Sequence, residues 1–147
     1  MVKDLPDWFM SIRNTIGTPI LYQINYEATG ELTIPASSSV TFYFGAGFTD
    51  TLDWIPKQYR WVFLSGDFSI DENSLILVEV LEESKDNPGS YITRFRKYGY
   101  GNVIISSNQV GVFIWDTRPV YRITNYNDVD VNLKFNVFGV LEYVGTT

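Results

Sequence analysis

The sequence predicts an all-β protein: a single antiparallel β-sandwich, jelly-roll-like, with a short N-terminal helix or arm. Apolar and polar residues alternate over many short runs, as on strands with one face in a core and one in water. Turn residues divide these runs at roughly 8–12-residue intervals, the spacing typical of sandwiches and barrels. The chain has 147 residues, of which 45% are hydrophobic and 19% charged, as expected for one globular domain.

The N-terminal segment has the spacing of a helix instead. Its apolar residues fall at i, i+3, i+4, i+7 and i+11: Leu5, Trp8, Phe9, Ile12 and Ile16. We therefore divide the chain into an amphipathic helix or arm at 1–17 and a β-sandwich domain at 18–147. The face formed by Leu5, Trp8, Phe9 and Ile12 needs an apolar partner. The pattern leaves open whether that partner is the chain's own sandwich or a neighbouring subunit, and we treat these residues as candidates for a subunit interface.

The rest of the chain has twelve short segments with a strand pattern, which together predict about nine or ten strands. Segments with a strand pattern are 20–26, 32–34, 40–44, 59–64, 68–70, 74–81, 91–98, 103–106, 110–115, 120–126, 130–138 and 140–144. Segment 74–81 is apolar almost throughout, which predicts a strand buried on both faces. Residues 82–90, EESKDNPGS, form the most polar stretch and predict an exposed loop.

The last segment has the clearest alternation. Its apolar positions are Val131, Leu133, Phe135 and Val137. Asn127 and Asp128 form a turn just before it, which predicts a hairpin between 121–126 and 130–138. Gly139 interrupts the pattern and predicts a bulge or bend before the final strand.

The composition excludes many functions. The chain contains no His and no Cys, so it lacks the ligands of most transition-metal sites and the groups of most nucleophile–base pairs. A net charge of −6 argues against binding to nucleic acid or to an anionic membrane surface. No phosphate-binding loop is present, and we expect no cofactor and no metal. The first ten residues, MVKDLPDWFM, do not resemble a secretory signal, although a removed signal would leave no trace.

Catalysis by paired carboxylates is the strongest enzymatic alternative. The nearest pairs in sequence are Asp50 with Asp53, Asp71 with Glu72, and Glu79 with Glu82. Such pairs are common on acidic surfaces, and nothing in the sequence places one in a buried environment. We therefore expect a protein that is not an enzyme.

Aromatic and basic residues supply two further candidate sites. Trp54 lies in an irregular stretch, and Tyr98 and Tyr100 flank Gly99 in a predicted turn. Exposed rings at such places can stack on a sugar or contact a neighbouring chain. Arg94 and Arg96 are two residues apart, which predicts that both guanidinium groups project from one strand face. They are candidates for a subunit interface or for ion pairs with the acidic 79–83 region.

Two stretches resemble small virion structural proteins of the jelly-roll type, such as capsid, decoration and turret subunits. They are TIPASSSVTFYF at 33–44 and YRITNYNDVDVNLKFNVFGVLEY at 121–143, together with the amphipathic arm. The resemblance implies a non-enzymatic subunit that associates with copies of itself and with other capsid proteins in a virion. Carbohydrate-binding and lectin-like sandwiches have similar sequence patterns, so a carbohydrate-binding or lectin-like module is the alternative function. A cytoplasmic location is the alternative to the virion.

Overall fold

A computed structural model describes residues 23–43, 54–71 and 73–145, with side chains from residue 29 onward. These residues form nine strands and one short helix. Their bounds are β1 (Gln23–Ile34), β2 (Ser39–Tyr43), β3 (Tyr59–Ile70), β4 (Leu75–Ser84), β5 (Tyr91–Tyr100), β6 (Asn102–Ser106), α1 (Ser107–Val110), β7 (Val112–Ile114), β8 (Thr117–Asn125) and β9 (Val131–Tyr143). Of the residues that carry sequence predictions, those outside the described residues are 1–17, 20–22, Phe44, Asp50, Asp53 and Glu72.

The strands form two antiparallel sheets packed as a sandwich. The first sheet has the order β1-β9-β3-β6, with β7 also pairing β3, and the second has the order β2-β8-β4-β5. Earlier strands pair with later ones in nested order along the chain: β4 with β5, β3 with β6 and β7, β2 with β8, and β1 with β9. This nested pairing is the jelly-roll arrangement. The predicted fold class is therefore confirmed.

Aromatic rings fill the space between the sheets. Trp61, Phe63 and Phe68 of β3 are fully buried, and the Trp61 and Phe63 rings meet edge to face with centroids 5.8 Å apart. From the second sheet, Tyr121 packs against Phe68 at 5.9 Å. Burial of such rings is the main term that stabilises a sandwich of this size.

The second sheet also confirms the predicted doubly buried strand. Six consecutive residues of β4, from Ile76 to Leu81, are buried. Ile76, Val78 and Val80 belong to the core between the sheets, so the residues between them face the other way. The strand continues to Ser84, and the predicted loop is shortened to residues 85–90.

The predicted hairpin between 121–126 and 130–138 is wrong. β8 belongs to the second sheet and β9 to the first, so residues 126–130 cross between sheets. Asn125 holds this crossing: its buried amide donates to the carbonyl oxygens of Pro35, at 3.2 Å, and Val129, at 2.9 Å. Its oxygen accepts from the backbone N–H of Asn127 at 2.8 Å.

The predicted bulge at Gly139 is also absent, because the pairing of β9 with β1 runs through this residue without a shift. The irregularity lies opposite it in β3, where Leu64 is an extra residue between Phe63 and Ser65. Gly139 lies on the side of β9 that faces the core, and a Cβ there would lie 2.1 Å from the Trp61 ring. The glycine therefore makes room for the largest side chain of the core.

Candidate interaction surfaces

The outer face of the second sheet carries a network of ion pairs. Glu79 of β4 is buried and accepts hydrogen bonds from Arg122 of β8 at 2.8 and 3.2 Å. Arg96 of β5 lies on its other side, 3.4 Å away. The hydrogen bond from Arg122 is the main cause that lowers the pKa of Glu79, so this carboxylate is charged at neutral pH.

A second ion pair on this face is enclosed by aromatic rings. The Arg118 Nε donates to Glu83 at 2.8 Å, and its guanidinium lies 3.5 Å from the Tyr43 ring centroid and 4.0 Å from that of Trp54. Glu83 also accepts from the backbone N–H of Gly89 at 2.8 Å, which ties down the 85–90 loop. Trp54, a candidate sugar platform, therefore stacks on an arginine of its own chain.

The other two platform candidates lie at the far end of the same sheet. Tyr98 and Tyr100, on β5, are 55% and 68% exposed. The Tyr98 ring lies 6.1 Å from that of Tyr126, and their hydrogen bond is the main cause that raises the pKa of Tyr126. Tyr98 pairs with Leu77, whereas the partner of Trp54, Arg118, pairs with Glu83. Six residues of β4 separate the two positions, about 20 Å, so the structure does not bring the three predicted rings together.

The two candidate arginines do not share a face. Register is lost between Val80 and Leu81, where Arg94 is the extra residue of β5. Arg94 therefore turns towards the first sheet: it pairs with Glu82, donates to the Val112 carbonyl at 2.9 Å and covers the Phe113 ring. Arg96 stays on the outer face beside Glu79. The bulge overturns the expectation of a common face, while the ion pairs with the 79–83 region are present within one chain.

The outer face of the first sheet has a different character. Phe113 of β7 and Val103 and Ile105 of β6 are buried in the core, so the residues that alternate with them point outward. Large apolar side chains are exposed along this edge, at Leu64 (37%), Ile104 (57%), Val112 (36%) and Ile114 (57%), and at Trp115 (50%) in the turn that follows β7. We call these five residues the apolar strip. It follows β6 and β7 along one edge of the sheet, with Leu64 of the β3 bulge beside them.

Polar pairs bound the apolar strip at both ends. Beside Ile114, Arg60 donates to Glu142 at 2.6 Å. Beside Ile104, the amide of Asn102 donates to Asp67 at 2.7 Å. Further along this polar end is a groove of about 300 Å³, lined by Glu31, Ser69, Ile70, Asp71, Asn132 and Lys134. An apolar centre with a polar rim is the usual anatomy of a protein–protein interface.

Of the predicted carboxylate pairs, Glu79 with Glu82 lies wholly among the residues that the structure describes, whereas Asp50, Asp53 and Glu72 do not. No cluster of three or more acidic residues is placed to hold a metal ion in these parts of the chain. Glu79 and Glu82 are placed on different sides of β4, with Glu79 facing Arg122 and Glu82 facing Arg94. Within the same ranges, no helix is long and apolar enough to cross a membrane.

The apolar strip was missed by the sequence predictions. The run VFIW at 112–115 is apolar at every position, so it does not separate buried Phe113 from exposed Ile114. Only the pairing of β7 with β3 assigns the two faces. The predicted interface residues Leu5, Trp8, Phe9 and Ile12 lie outside the described residues.

No protein-family model and no curated protein matches the chain. Among solved structures it is similar to the Yersinia pseudotuberculosis-derived mitogen, with 10% identity, coverage of 78% of this chain and 86% of that one, and a TM-score of 0.49. It is similar to the disulfide-linked pili of Bacillus endospore appendages, with 9% identity, coverage of 86% and 93%, and a TM-score of 0.49. It is also similar to the decameric BFDV capsid protein, with 7% identity, coverage of 84% and 99%, and a TM-score of 0.41. A viral capsid protein is therefore among the solved structures that the chain resembles.

Proposed function

We propose that this chain is a non-enzymatic virion structural protein, a capsid or capsid-associated subunit that works through contacts between copies of itself. The apolar strip carries the proposal. Five large apolar side chains lie exposed along one sheet edge, and exposed apolar surface of this kind marks an interaction site. Trp115 is the strongest candidate for burial in this contact, since Trp is enriched among the residues that dominate interface energies.

Two further observations support a contact function. The ionisable groups of the second sheet's outer face are engaged with each other, as Glu79 is with Arg122 and Glu83 with Arg118, which leaves little chemistry for a substrate. The jelly roll is an architecture that capsid subunits use, although lectins use it too. We do not propose the carbohydrate-binding alternative, because Trp54 and Tyr98 lie at opposite ends of the second sheet.

In this proposal the segment 1–17 is an arm that adds its apolar face to the contacts between subunits, and 18–147 is the sandwich. The partners are copies of the chain and other capsid proteins, and the location is the virion. The net charge of −6 supports contacts with protein over contacts with nucleic acid.

The experiment compares assembly of the full chain with that of a variant of the apolar strip. Ile104→Thr with Ile114→Thr keeps β-branched residues on both strands and removes two exposed apolar side chains. We expect the wild-type chain to sediment as an oligomer and the double variant to dissociate at concentrations at least tenfold higher. Val129→Thr is the matched control, because Val129 is equally exposed but lies in the 126–130 crossing.

Two outcomes count against the proposal. One is a wild-type chain that stays monomeric by sedimentation velocity up to millimolar concentration. The other is an oligomer that the double variant leaves as stable as the control does. Deleting residues 1–17 tests the arm separately, since an arm that joins subunits should weaken assembly when it is removed.

A further inference from the structure

Among the described residues the first sheet ends at β1, and nothing within β1 itself blocks pairing with another chain. β1 runs for 12 residues and pairs with β9 from Gln23 to Ile34 without a shift. No strand among the described residues pairs with its other side. Its sequence, QINYEATGELTI, contains no Pro, Lys or Arg. Long, regular edges that lack such residues are templates for strand addition.

The opposite edges of the sandwich show the contrast. There β5 of the second sheet lies across from β6 and β7 of the first sheet. Basic side chains of β5 donate hydrogen bonds to carbonyl groups on the other side of this gap. Arg94 donates to the carbonyl oxygens of Val110, at 3.2 Å, and Val112, at 2.9 Å. Lys97 donates to the carbonyl oxygen of Ile104 at 2.9 Å. The fourth edge, β2, has only five residues. Of the four edges, β1 is thus the longest, and it contains no basic or bulged residue.

We propose that β1 pairs antiparallel with β1 of a second copy of this chain, which joins two first sheets into one continuous sheet. This inference rests on the proposed function and names the contact that a homotypic assembly uses at this edge. The contact is isologous, with a two-fold axis perpendicular to the sheet. It lies at the edge opposite the apolar strip, so one subunit offers two separate contacts and an assembly can extend beyond a pair.

The charges of β1 select one register for this pairing. In an antiparallel pair the residue numbers of any two opposed residues add to the same sum, and this sum identifies the register. A two-fold axis perpendicular to the sheet keeps the faces of both copies aligned, so the sum must be even. A sum of 54 opposes Glu27 to itself, and a sum of 58 opposes Glu27 to Glu31; both place like charges directly across the strands, which is unfavourable. A sum of 56 opposes Glu27 to Thr29 and Glu31 to Asn25.

The sum of 56 also pairs the most residues among the registers that avoid opposed acids. It aligns residues 23–33 of both copies, whereas a sum of 60 aligns only 26–34. Ala28 then lies on the two-fold axis, opposite Ala28 of the second copy. The self-complementary register is the reason to assign this edge to a second copy of the chain.

Charge substitutions at Thr29 test the contact. Thr29→Glu places a carboxylate opposite Glu27 twice in each pair, and Thr29→Lys places an opposite charge there. Within one chain Thr29 pairs with neutral Asn136, so both variants should fold alike. Measured by sedimentation equilibrium in the Ile104→Thr, Ile114→Thr background, we expect self-association to weaken about fivefold with Glu and to strengthen about as much with Lys. Thr33→Lys is the control, because Thr33 faces Gln23 in this register.

Disulfide trapping tests the same register directly, because the chain has no Cys of its own. A mixture of Glu27→Cys and Thr29→Cys chains should form a mixed disulfide dimer, since opposed Cα atoms lie about 4.5–5.5 Å apart in an antiparallel pair. Neither variant alone should cross-link to the same extent. Either of two results overturns the inference. One is a Thr29→Cys chain that cross-links to itself, and the other is self-association that neither Thr29→Glu nor Thr29→Lys changes.

The result is separable from the test of the apolar strip. If the wild-type chain assembles but the Thr29 and Cys variants behave as controls, the β1 contact is wrong and the proposed function stands. If the wild-type chain is monomeric and the mixture of Glu27→Cys and Thr29→Cys chains forms no disulfide, both are wrong. A mixed disulfide with opposite signs for Thr29→Glu and Thr29→Lys supports the contact.

Discussion

The outer faces of the two sheets meet the solvent in opposite ways. On the second sheet, Leu81 pairs with Val120, both side chains are buried, and rows of ion pairs lie on either side of them. On the first sheet, Val112 pairs with Val62, and Ile114 follows at the edge with more than half of its surface exposed. The comparison teaches that ion pairs cover the apolar residues on the outer face of the second sheet, whereas apolar residues at the β6–β7 edge of the first sheet stay exposed.

The difference arises from which residues share a row across the strands. Arg122 faces Glu79, and Arg118 faces Glu83, so each arginine of these rows has an acid directly opposite. On the first sheet the corresponding pair, Arg60 with Glu142, lies at the end of the face, beyond the valines. Long arginine stems cover apolar surface while their charges are satisfied, and beside β7 this arginine is Arg60, which lies opposite Ile114 at the end of the strand.

The largest effect is expected from Gly139, which sets the packing beneath the face that carries the apolar strip. A Cβ at this position would lie 2.1 Å from the Trp61 ring, so Gly139→Ala overpacks the core. We expect the free energy of unfolding to fall by about 3 kcal/mol in urea denaturation.

A second substitution supplies the control for Gly139. Trp61→Phe removes the part of the ring nearest the new methyl group, so the double variant Trp61→Phe, Gly139→Ala should lose less than the sum of the single losses. Additive losses would show that the cost of the alanine has another origin.

Glu79→Gln breaks the ion-pair network of the second sheet. The carboxylate is buried and accepts from Arg122, so the variant leaves two guanidinium groups beside a neutral amide. We expect a loss of about 2 kcal/mol in the free energy of unfolding. Glu142→Gln is the matched change on the first sheet, where Arg60 is more exposed, and should cost less than about 1 kcal/mol. Equal losses would mean that the two faces do not differ in this respect.

The same carboxylate predicts how stability depends on pH. Because the pKa of Glu79 is lowered in the folded chain, its contribution is complete above its unfolded pKa, near 4.3, and is lost as the pH falls through the folded value. We expect the difference in unfolding free energy between the wild-type chain and Glu79→Gln to shrink between pH 6 and pH 3. A difference that stays constant over this range would contradict the assignment.

Arg118→Lys tests the enclosed ion pair. Lysine keeps the charge beside Glu83 but loses the planar group that lies between Tyr43 and Trp54. We expect a loss of about 1 kcal/mol in thermal or urea unfolding, together with a change in Trp fluorescence. Arg60→Lys is the control and should change stability by less than half as much.

The local patterns of the sequence predicted the strands better than their partners. The alternation at 131–137 and the apolar run at 74–81 reflect burial, which each strand encodes in its own residues. The crossing at 126–130 could not be told from a hairpin, because Asn127 and Asp128 suit either connection and the deciding contacts of Asn125 reach back to Pro35.

The candidate site depended on similar long-range information. The spacing of Arg94 and Arg96 predicted one face, and a single bulged residue moved Arg94 to the other. The ion pairs with the acidic region were predictable from charge alone, whereas the apolar strip was not. Ile114 and Phe113 are adjacent apolar residues, and only the sheet pairing makes one a core residue and the other a surface residue.

Ile114→Thr should have the smallest effect on the folded chain and sharpens the comparison most. Its side chain is largely exposed, so we expect the free energy of unfolding of the monomer to change by no more than about 0.5 kcal/mol. Phe113→Ala, at the next residue but on the buried face, should cost about 3 kcal/mol or more. Urea denaturation at a concentration below the onset of assembly measures both. A large loss for Ile114→Thr would mean that this side chain stabilises its own chain, and the first sheet would then resemble the second.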